Sequence, residues 1–308
     1  MLRRWEPRSL LMRTLLACAA LAWAGSCSGR PSAADGSAPV GYTKIDDMEG
    51  DGSALAWIPP SGLTAGSWYT ATECGATGDI WPPPLMDNAG VLTPSLWSYS
   101  ALAAPHETFP GILSTQAARL RTTSPLMGVW GAVMGLELAS QPGLTLELAP
   151  NGRVDGGSPG VGEAACPQIL VTEASVDLSA YSGVTFWAKG DLAGVRTVQV
   201  EFQDVHTDPR GGVCSTDFNS PDYCYNGFTT TIALTDTFSR YTIDFASLQQ
   251  DPKWGYHPIP DVLDVQHVYQ LQFQITTPRC YPNFMCVGGA APPVSFDFWI
   301  DDLYFVNR

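Results

Sequence analysis

Basic residues are scarce in this chain. Its 308 residues include 16 Lys and Arg against 30 Asp and Glu, which gives a net charge of −14. Nucleic acid is therefore not an expected partner, because its binding relies on basic surfaces. The four histidines show no His-Glu-x-x-His spacing, and no two cysteines form Cys-x-x-Cys. These absences argue against a zinc enzyme and against a dithiol redox centre.

Long apolar runs are also absent. The longest apolar stretch near the N-terminus, residues 15–24, is too short to span a bilayer and follows several arginines, which is typical of a signal peptide. Two processing sites compete, since Ala22-Trp23-Ala24 suits ordinary signal peptidase and Ala24-Gly25-Ser26-Cys27 resembles a bacterial lipobox. We favour the lipobox, with a signal peptide over 1–26 and lipid attached to Cys27.

The segment after that signal is small and polar, so residues 27–41 are predicted to be a flexible tether. The folded domain should then cover residues 42–308. We expect an exported protein, either secreted or held at the outer membrane or cell surface by the N-terminal lipid anchor. We also expect it to be a monomer.

Six cysteines remain outside the signal region, and an even number suits an oxidising compartment. Cys214 and Cys224 bracket one short loop and Cys280 and Cys286 bracket another. Each of these pairs is predicted to close its own loop, which would leave Cys74 with Cys166. The alternative is a set of unpaired buried thiols.

Long amphipathic helical patterns are missing, whereas 30 glycines and 25 prolines separate short alternating segments. This pattern predicts an all-β fold, a two-sheet antiparallel sandwich of the jelly-roll type with long disulfide-bearing loops. Predicted strands cover residues 42–48, 66–72, 117–122, 130–138, 183–189, 197–204, 228–234, 239–244, 268–276 and 296–306. We predict that 184–189 pairs with 198–204, and that residues 74–109 and 150–172 are irregular.

Acidic residues cluster at both ends of the predicted domain. Asp46-Asp47-Met48-Glu49-Gly50-Asp51-Gly52 opens the first strand, and Asp301-Asp302 lies within the last. Terminal segments can lie side by side in a jelly roll, and carboxylates with carbonyls supply the hard oxygen ligands that Ca²⁺ takes. We expect a structural calcium site with Glu49 and Asp301 as first ligands and Asp47 and Asp51 behind them. The alternative is a solvated acidic edge.

Several aromatic residues lie at strand starts or in loops, where a flat ring can stack on a sugar ring. The candidates are Trp68, Tyr69, Trp130, Trp254 and Tyr256. Trp187 and Trp299, within strong strands, are instead predicted to be core residues.

Polar candidates for sugar binding follow from two predicted strands. Asp204 and His206 leave a strand into the Cys214 loop, and Gln272 lies on a strand face rich in glutamine. Glu201 and Asp204 fall on opposite faces of their strand, so they do not form an obvious pair of catalytic acids.

Four motifs together resemble a known family. They are Ile45-Asp46-Asp47-Met48-Glu49, Trp68-Tyr69-Thr70, Tyr181-Ser182-Gly183-Val184-Thr185-Phe186-Trp187-Ala188-Lys189-Gly190 and Phe298-Trp299-Ile300-Asp301-Asp302-Leu303-Tyr304-Phe305. The resemblance is to galactose-binding-like jelly rolls of bacterial carbohydrate-binding modules, nearest the family-eleven type. It implies non-catalytic polysaccharide binding on a concave sheet face, with Trp68, Tyr69 and Trp130 near the ligand. It also implies structural calcium at Glu49 and Asp301.

The leading hypothesis is therefore a lipid-anchored or secreted β-sandwich that binds a polysaccharide or oligosaccharide and has no catalytic residues. Two alternatives remain open. A glycoside hydrolase or polysaccharide lyase would bring two acids, or a Tyr and His pair, into one cleft. A structural or protein-binding envelope lipoprotein would lack an exposed aromatic groove.

Overall fold

Alternating apolar and polar residues form two antiparallel sheets that pack face to face, as a computed structural model shows. The structure describes residues 38–50, 57, 59, 63–72, 80–81, 99–122, 131–140, 147–148, 169–170, 174–192, 197–217, 220–275 and 296–308. The predicted all-β sandwich is thereby confirmed. None of the described residues belongs to a helix long and apolar enough to cross a membrane.

The strands of the described residues follow one another along the chain with two short 3-10 helices between them. They are β1 (Tyr42–Asp46), β2 (Thr64–Ala65), β3 (Trp68–Thr72), β4 (Ile80–Trp81), β5 (Ser100–Phe109), β6 (Ile112–Thr122), β7 (Ala132–Glu137), β8 (Ala139–Ser140), β9 (Glu147–Leu148), β10 (Ile169–Leu170), β11 (Tyr181–Leu192), β12 (Thr197–Asp204), β13 (Phe228–Ala233), β14 (Ser239–Asp244), β15 (Val268–Ile275) and β16 (Phe296–Asn307). The 3-10 helices are η1 (Pro209–Gly211) and η2 (Phe245–Ser247).

Twelve of these strands form two large sheets, while β2 pairs with β8 and β9 pairs with β10 in two small ones. The seven-stranded sheet has the order β14-β11-β16-β6-β4, with β1 added to β16 and β5 added to β6. The five-stranded sheet has the order β13-β12-β15-β7-β3. The terminal strands β1 and β16 pair antiparallel, so the two ends of the folded region do lie side by side.

The core lies between the sheets and is rich in stacked and edge-on aromatic rings. Phe273 of β15 has its ring centroid 5.1 Å from that of Phe186 and 6.2 Å from that of Phe298, both in the opposite sheet. Phe186, Phe273 and Phe298 are fully buried. Burial of such rings removes a large apolar area from water and is the main source of stability in a sandwich.

Each of the ten predicted strands corresponds to an observed strand, but two predictions about them were wrong. β11 and β12 do not pair; β11 lies between β14 and β16, while β12 lies between β13 and β15. Consecutive strands that cross from one sheet to the other bury both apolar faces in one core. The stretches 74–109 and 150–172, predicted to be irregular, contain strands: β4 and β5 lie in the first, where β5 forms a hairpin with β6, and β10 lies in the second.

Trp187 and Trp299 are not core residues, contrary to the prediction. Both lie half-buried on the outward face of the seven-stranded sheet, because the residues on either side of each of them point inward. Arg119 and Lys189 lie over the Trp299 ring at 4.3 and 5.0 Å from its centroid. These cation–π contacts explain how a large ring remains on an outer face.

Candidate functional site

The outward face of the five-stranded sheet carries a continuous set of hydrogen-bonding side chains. We call this set, with two residues of the loop after β12, the polar face: Tyr69, Glu137, Glu201, Gln203, Asp208, Arg210, Gln270 and Gln272. Strand register creates it, since Gln270 lies opposite both Gln203 and Glu137, and Gln272 lies opposite Glu201. The alternate residues of the same strands point into the core.

The amide side chains of the polar face are joined in one hydrogen-bonded chain. Gln272 Nε2 donates to Tyr69 OH at 2.8 Å and to Gln270 Oε1 at 3.1 Å. Gln270 Nε2 donates to Gln203 Oε1 at 2.7 Å, and Gln203 Nε2 donates to Glu201 Oε1 at 2.8 Å. The chain therefore runs from half-buried groups at β3 to a buried carboxyl on β12 and holds every member in one orientation.

The Tyr69 ring is placed by a glycine. A Cβ atom on Gly135 would lie 2.1 Å from Tyr69 Cζ, so the ring crosses the sheet directly above this residue of β7. The Tyr69 hydroxyl also donates to Gln270 Oε1. A larger residue at 135 would push the ring off the sheet and out of the hydrogen-bonded chain.

Three carboxyl groups of the polar face are largely desolvated. Burial raises the pKa of Glu201, of Glu137 and of Asp208 to about 7 in each case. Hydrogen bonds from Gln203 and from the Gly227 amide partly offset the effect at Glu201. The face is acidic and becomes more so as the pH rises through neutrality.

Arg210 supplies the cation of the polar face. Its Nε donates to Asp208 Oδ1 at 2.6 Å, its Nη2 also pairs with that carboxylate, and its Nη1 lies 3.9 Å from Glu137 Oε1. Its guanidinium lies 5.4 Å from the Tyr269 ring centroid and interacts electrostatically with Tyr69 and Tyr225. Acidic groups outnumber basic ones here, so a ligand carrying many carboxylates or sulfates would be repelled.

Two loops next to the polar face bring rings together in a group that we call the aromatic wall: His206, Tyr223, Tyr225, Trp254 and Tyr256. The ring centroids of Tyr223 lie 5.5 Å from Tyr225 and 6.1 Å from Trp254, and His206 stacks with Tyr256 at 6.5 Å. Trp254 is 37% exposed. The Tyr225 amide donates to the Thr207 carbonyl at 2.8 Å, next to Asp208 of the polar face.

Asp204, a predicted sugar ligand, has a different position. Its carboxylate is fully buried and accepts hydrogen bonds from the backbone amides of His206, Thr207 and Asp264. These bonds shape the loop that carries His206. Asp204 therefore fixes the backbone that carries the aromatic wall and is not accessible to a ligand.

Trp68 is buried, with 2% of its surface exposed, so its ring is not accessible for stacking on a sugar. Its Nε1 donates to Asp46 Oδ2 at 2.8 Å, and Tyr99 OH donates to the same oxygen. Asp46, 22 residues before Trp68 in the chain, is a buried acceptor, and the hydrogen bond to it keeps the indole in the interior. Trp130 lies outside the described residues.

The structure thus brings five of the predicted binding residues together, with Tyr69 and Gln272 on the polar face and His206, Trp254 and Tyr256 in the aromatic wall. Sequence reasoning missed Glu137, Gln203, Asp208, Arg210 and Gln270 as site residues, and it set Glu201 aside. A signal existed, because Glu201 and Gln203 alternate with core residues on one predicted strand and Gln270 and Gln272 do so on another. Their assembly depends on β15 lying between β12 and β7.

A second acidic cluster lies where β1 meets β16. Asp302 has φ 48° at a bulge in β16, so Asp301 and Asp302 both turn into the protein and are buried. Asp301 Oδ2 lies 2.7 Å from His106 Nε2, whereas Asp301 Oδ1 and Asp302 Oδ2 are buried without a hydrogen-bond partner. Burial raises the pKa of Asp302 to about 7, and the charge of Asp301 adds to this effect.

The other predicted calcium ligands are placed as follows. The Glu49 carboxylate accepts from the Thr115 and Gln116 amides at 2.6 and 2.9 Å. Asp47 pairs with Lys44 at 2.8 Å, and Asp51 lies outside the described residues. Within the described part of the chain, no three or more His, Cys, Asp or Glu side chains form a metal-binding group.

A disulfide joins Cys214 and Cys224, as predicted. It closes the loop immediately before Tyr225. Cys74, Cys166, Cys280, Cys286 and Cys27 lie outside the described residues, so their predicted pairings and lipidation stay predictions.

No protein-family model matches the chain, and no curated protein matches it either. Among solved structures it is similar to the family 11 carbohydrate-binding module of the cellulosomal cellulase Lic26A-Cel5E of Clostridium thermocellum, with a TM-score of 0.40 and 11% identity over 88% of this chain and 97% of that one. The family 11 module from the same organism in complex with a β-1,3-1,4-mixed-linked tetrasaccharide matches equally, at 0.40 and 11% over 88% and 98%. A family 30 carbohydrate-binding module matches at 0.31 and 13% over 68% and 87%.

These neighbours include the type of module that the sequence motifs resemble.

Proposed function

We propose that this protein binds a polysaccharide without cleaving it, on the polar face and the adjoining aromatic wall. The observation that carries the proposal is the pair of partly exposed groups Tyr69 and Gln272, which the buried chain through Gln270 holds in place, together with the exposed ring of Trp254. Sugar hydroxyls are recognised by donors and acceptors held in fixed positions, and the C–H faces of sugars stack on aromatic rings. This site contains both fixed hydrogen-bonding groups and aromatic rings.

The charge of the polar face narrows the ligand class. Glu137 and Asp208 pair with the one guanidinium of the polar face, that of Arg210, and Glu201 adds a third acid, in a protein of net charge −14. A neutral glycan meets no repulsion here, whereas a uronate or sulfated polymer would. We therefore expect neutral polysaccharides to bind in preference to acidic ones.

The test is a panel of neutral and acidic polysaccharides titrated against the purified protein, with parallel measurement of reducing-sugar release. We expect saturable binding of at least one neutral glycan, no product, and at least a tenfold weaker affinity for Trp254→Ala and Gln272→Ala. Leu113→Ala is the matched control, because Leu113 is 61% exposed and belongs to the opposite sheet.

Two outcomes would contradict the proposal. Release of reducing sugar that stops in Glu201→Gln would identify a hydrolase instead. Absence of binding to every glycan would favour a structural or protein-binding envelope protein.

We also propose a structural calcium ion at the bulge of β16. The two unpartnered buried oxygens, Asp301 Oδ1 and Asp302 Oδ2, fit a hard cation, because a carboxylate oxygen buried without a donor is costly unless a positive charge approaches it. Asp301 and Asp302 would hold the ion, while the Glu49 carboxylate keeps its hydrogen bonds from the Thr115 and Gln116 amides. When bound, it would neutralise these acids and fasten the pairing of β1 with β16.

Export as a lipoprotein is a further part of the proposal. The Cys214–Cys224 disulfide supports it, because such bonds form and persist in oxidising compartments. Labelling cells with a radioactive or clickable palmitate should mark the protein, and Cys27→Ala should abolish the label. A labelled Cys27→Ala variant, or an unlabelled wild type, would refute acylation at this residue.

A further inference from the structure

We infer that Asn226 is the positioning residue of the aromatic wall: its buried side chain holds Trp254 and Tyr256 in place and joins them to the polar face. The inference rests on the proposed function for its consequence in ligand binding. It concerns a residue that makes no contact with a ligand itself, since Asn226 is only 3% exposed.

The first step is the number of bonds that converge on Asn226. Its Nδ2 donates to the backbone carbonyls of Asp251 at 3.1 Å and Trp254 at 2.6 Å, and its Oδ1 accepts from the Asp251 amide at 3.2 Å. One side chain therefore closes the loop that carries Trp254 from both ends. A primary amide is required, because only it offers two donors and an acceptor together.

The second step is that the backbone around Asn226 is held as well. Gln250 Nε2 donates to the Asn226 carbonyl and, at 2.9 Å, to the Tyr256 carbonyl. The Tyr256 amide donates to the Tyr223 carbonyl at 3.0 Å. Both loops of the aromatic wall are thereby tied to one short segment, residues 223–227.

The third step is the shape of the opposing loop. Gly255 has φ +75° and a Cβ atom there would lie 2.4 Å from Asn226 Cβ, so the loop approaches Asn226 as closely as a backbone can. This contact fixes the direction of the neighbouring side chains of Trp254 and Tyr256.

The fourth step links the wall to the polar face. Gly227, the next residue, donates its amide to Glu201, and a Cβ at 227 would lie 2.4 Å from Glu201 Oε1. The Cys214–Cys224 disulfide and the bond from the Tyr225 amide to the Thr207 carbonyl at 2.8 Å anchor the other side of the segment. A preformed wall of this kind lowers the ordering cost of binding a glycan.

The test compares Asn226→Asp with the wild type by isothermal titration with the neutral glycan found in the panel above. The substitution keeps the acceptor for the Asp251 amide and removes the donors to the Asp251 and Trp254 carbonyls. Titration is done well below the melting temperature of each variant. The stoichiometry then measures the fraction of folded protein, and the Kd measures how well the aromatic wall of that folded protein binds the glycan. We expect the Kd to rise at least tenfold at unchanged stoichiometry.

Asn307→Asp is the matched control, because Asn307 Oδ1 only accepts from Thr43 Oγ1 at the far end of β16. It should leave the Kd unchanged. An unchanged Kd for Asn226→Asp would overturn the inference, since a residue that only stabilises the fold would change the melting temperature alone.

A second measurement separates this inference from the proposed function. Amide hydrogen exchange over residues 251–257 should accelerate at least tenfold in Asn226→Asp and in Gly255→Ala, even if no glycan is found. Unchanged exchange in both variants would overturn the positioning role. Absence of glycan binding by the wild type would instead refute the proposed function. The positioning role of Asn226 would then be tested by the hydrogen-exchange measurement alone.

Discussion

The ring of Tyr69 lies directly over Gly135 on the neighbouring strand, where a Cβ atom would come within 2.1 Å of its Cζ. The contact places the Tyr69 hydroxyl against Gln270 and Gln272. The site therefore depends on the smallest side chain of one strand as much as on the polar groups of the others.

Gly135→Ala tests this relationship. We expect the methyl group to displace the Tyr69 ring, to weaken glycan binding about tenfold, and to lower the free energy of unfolding by about 1–3 kcal/mol through overpacking. Urea denaturation and glycan titration measure the two effects. Gly50→Ala is the control, because nothing lies within 4 Å of a Cβ at that position; equal behaviour of the two variants would contradict the prediction.

Asp46 should be a strong determinant of stability. Its buried carboxylate accepts from Trp68 Nε1, from Tyr99 OH and from the Met48 amide at 3.0 Å. Asp46→Ala leaves these donors buried without an acceptor and should cost about 3–5 kcal/mol of unfolding free energy, whereas Asp46→Asn keeps one acceptor and should cost less. Chemical denaturation of both variants is the check, and a milder effect of alanine than of asparagine would refute the assignment.

The stability of the protein should depend on the ionisation of Glu201. Burial raises the pKa of this carboxyl from an ordinary 4.5 to about 7, so the folded state holds the proton more tightly than the unfolded chain does. The tighter binding of this proton stabilises the folded state fully below pH 4.5. This stabilisation declines as the pH rises towards 7 and is absent at higher pH. Over this window the loss amounts to about 3 kcal/mol.

Glu201→Gln should remove this part of the pH dependence, because the amide stays neutral and can still accept a hydrogen bond from Gln203. Relative to the wild type it should gain stability at pH 8 and little at pH 4.5, as measured by melting temperature across that range. Asp222→Asn is the control, since Asp222 is exposed. Parallel pH profiles for Glu201→Gln and the wild type would count against a buried, protonated Glu201.

Calcium should stabilise the fold through the bulge of β16. A free concentration one hundred times the Kd would add about 2.7 kcal/mol, and a chelator should reverse the gain. Asp301→Asn should abolish the calcium-dependent rise in melting temperature, while Asp297→Asn on the same strand, whose partner is Arg119 at 2.6 Å, should retain it. An equal response of both variants to calcium would exclude Asp301 as a ligand.

Much of the strand pattern could be predicted from the sequence. Gln270, Gln272 and Gln274 alternate with Leu271, Phe273 and Ile275, and this two-residue period is a property of neighbours along one strand. The Cys214–Cys224 loop was predictable for the same reason, because its closure involves a short stretch of chain. β5 was missed since alanines and Pro105 hide its alternation.

The sequence alone determined that this chain is an all-β sandwich with an outward-facing row of glutamines, because alternation and loop composition are local. Only the tertiary structure decided that Gln203 and Gln270, 67 residues apart, share one hydrogen-bonded chain, that Trp68 turns inward to Asp46, and that β11 and β12 belong to different sheets. Pairings of this kind follow from the free energy of burying whole sheet faces against each other. That energy is summed over residues far apart in the chain and is not visible in any one segment.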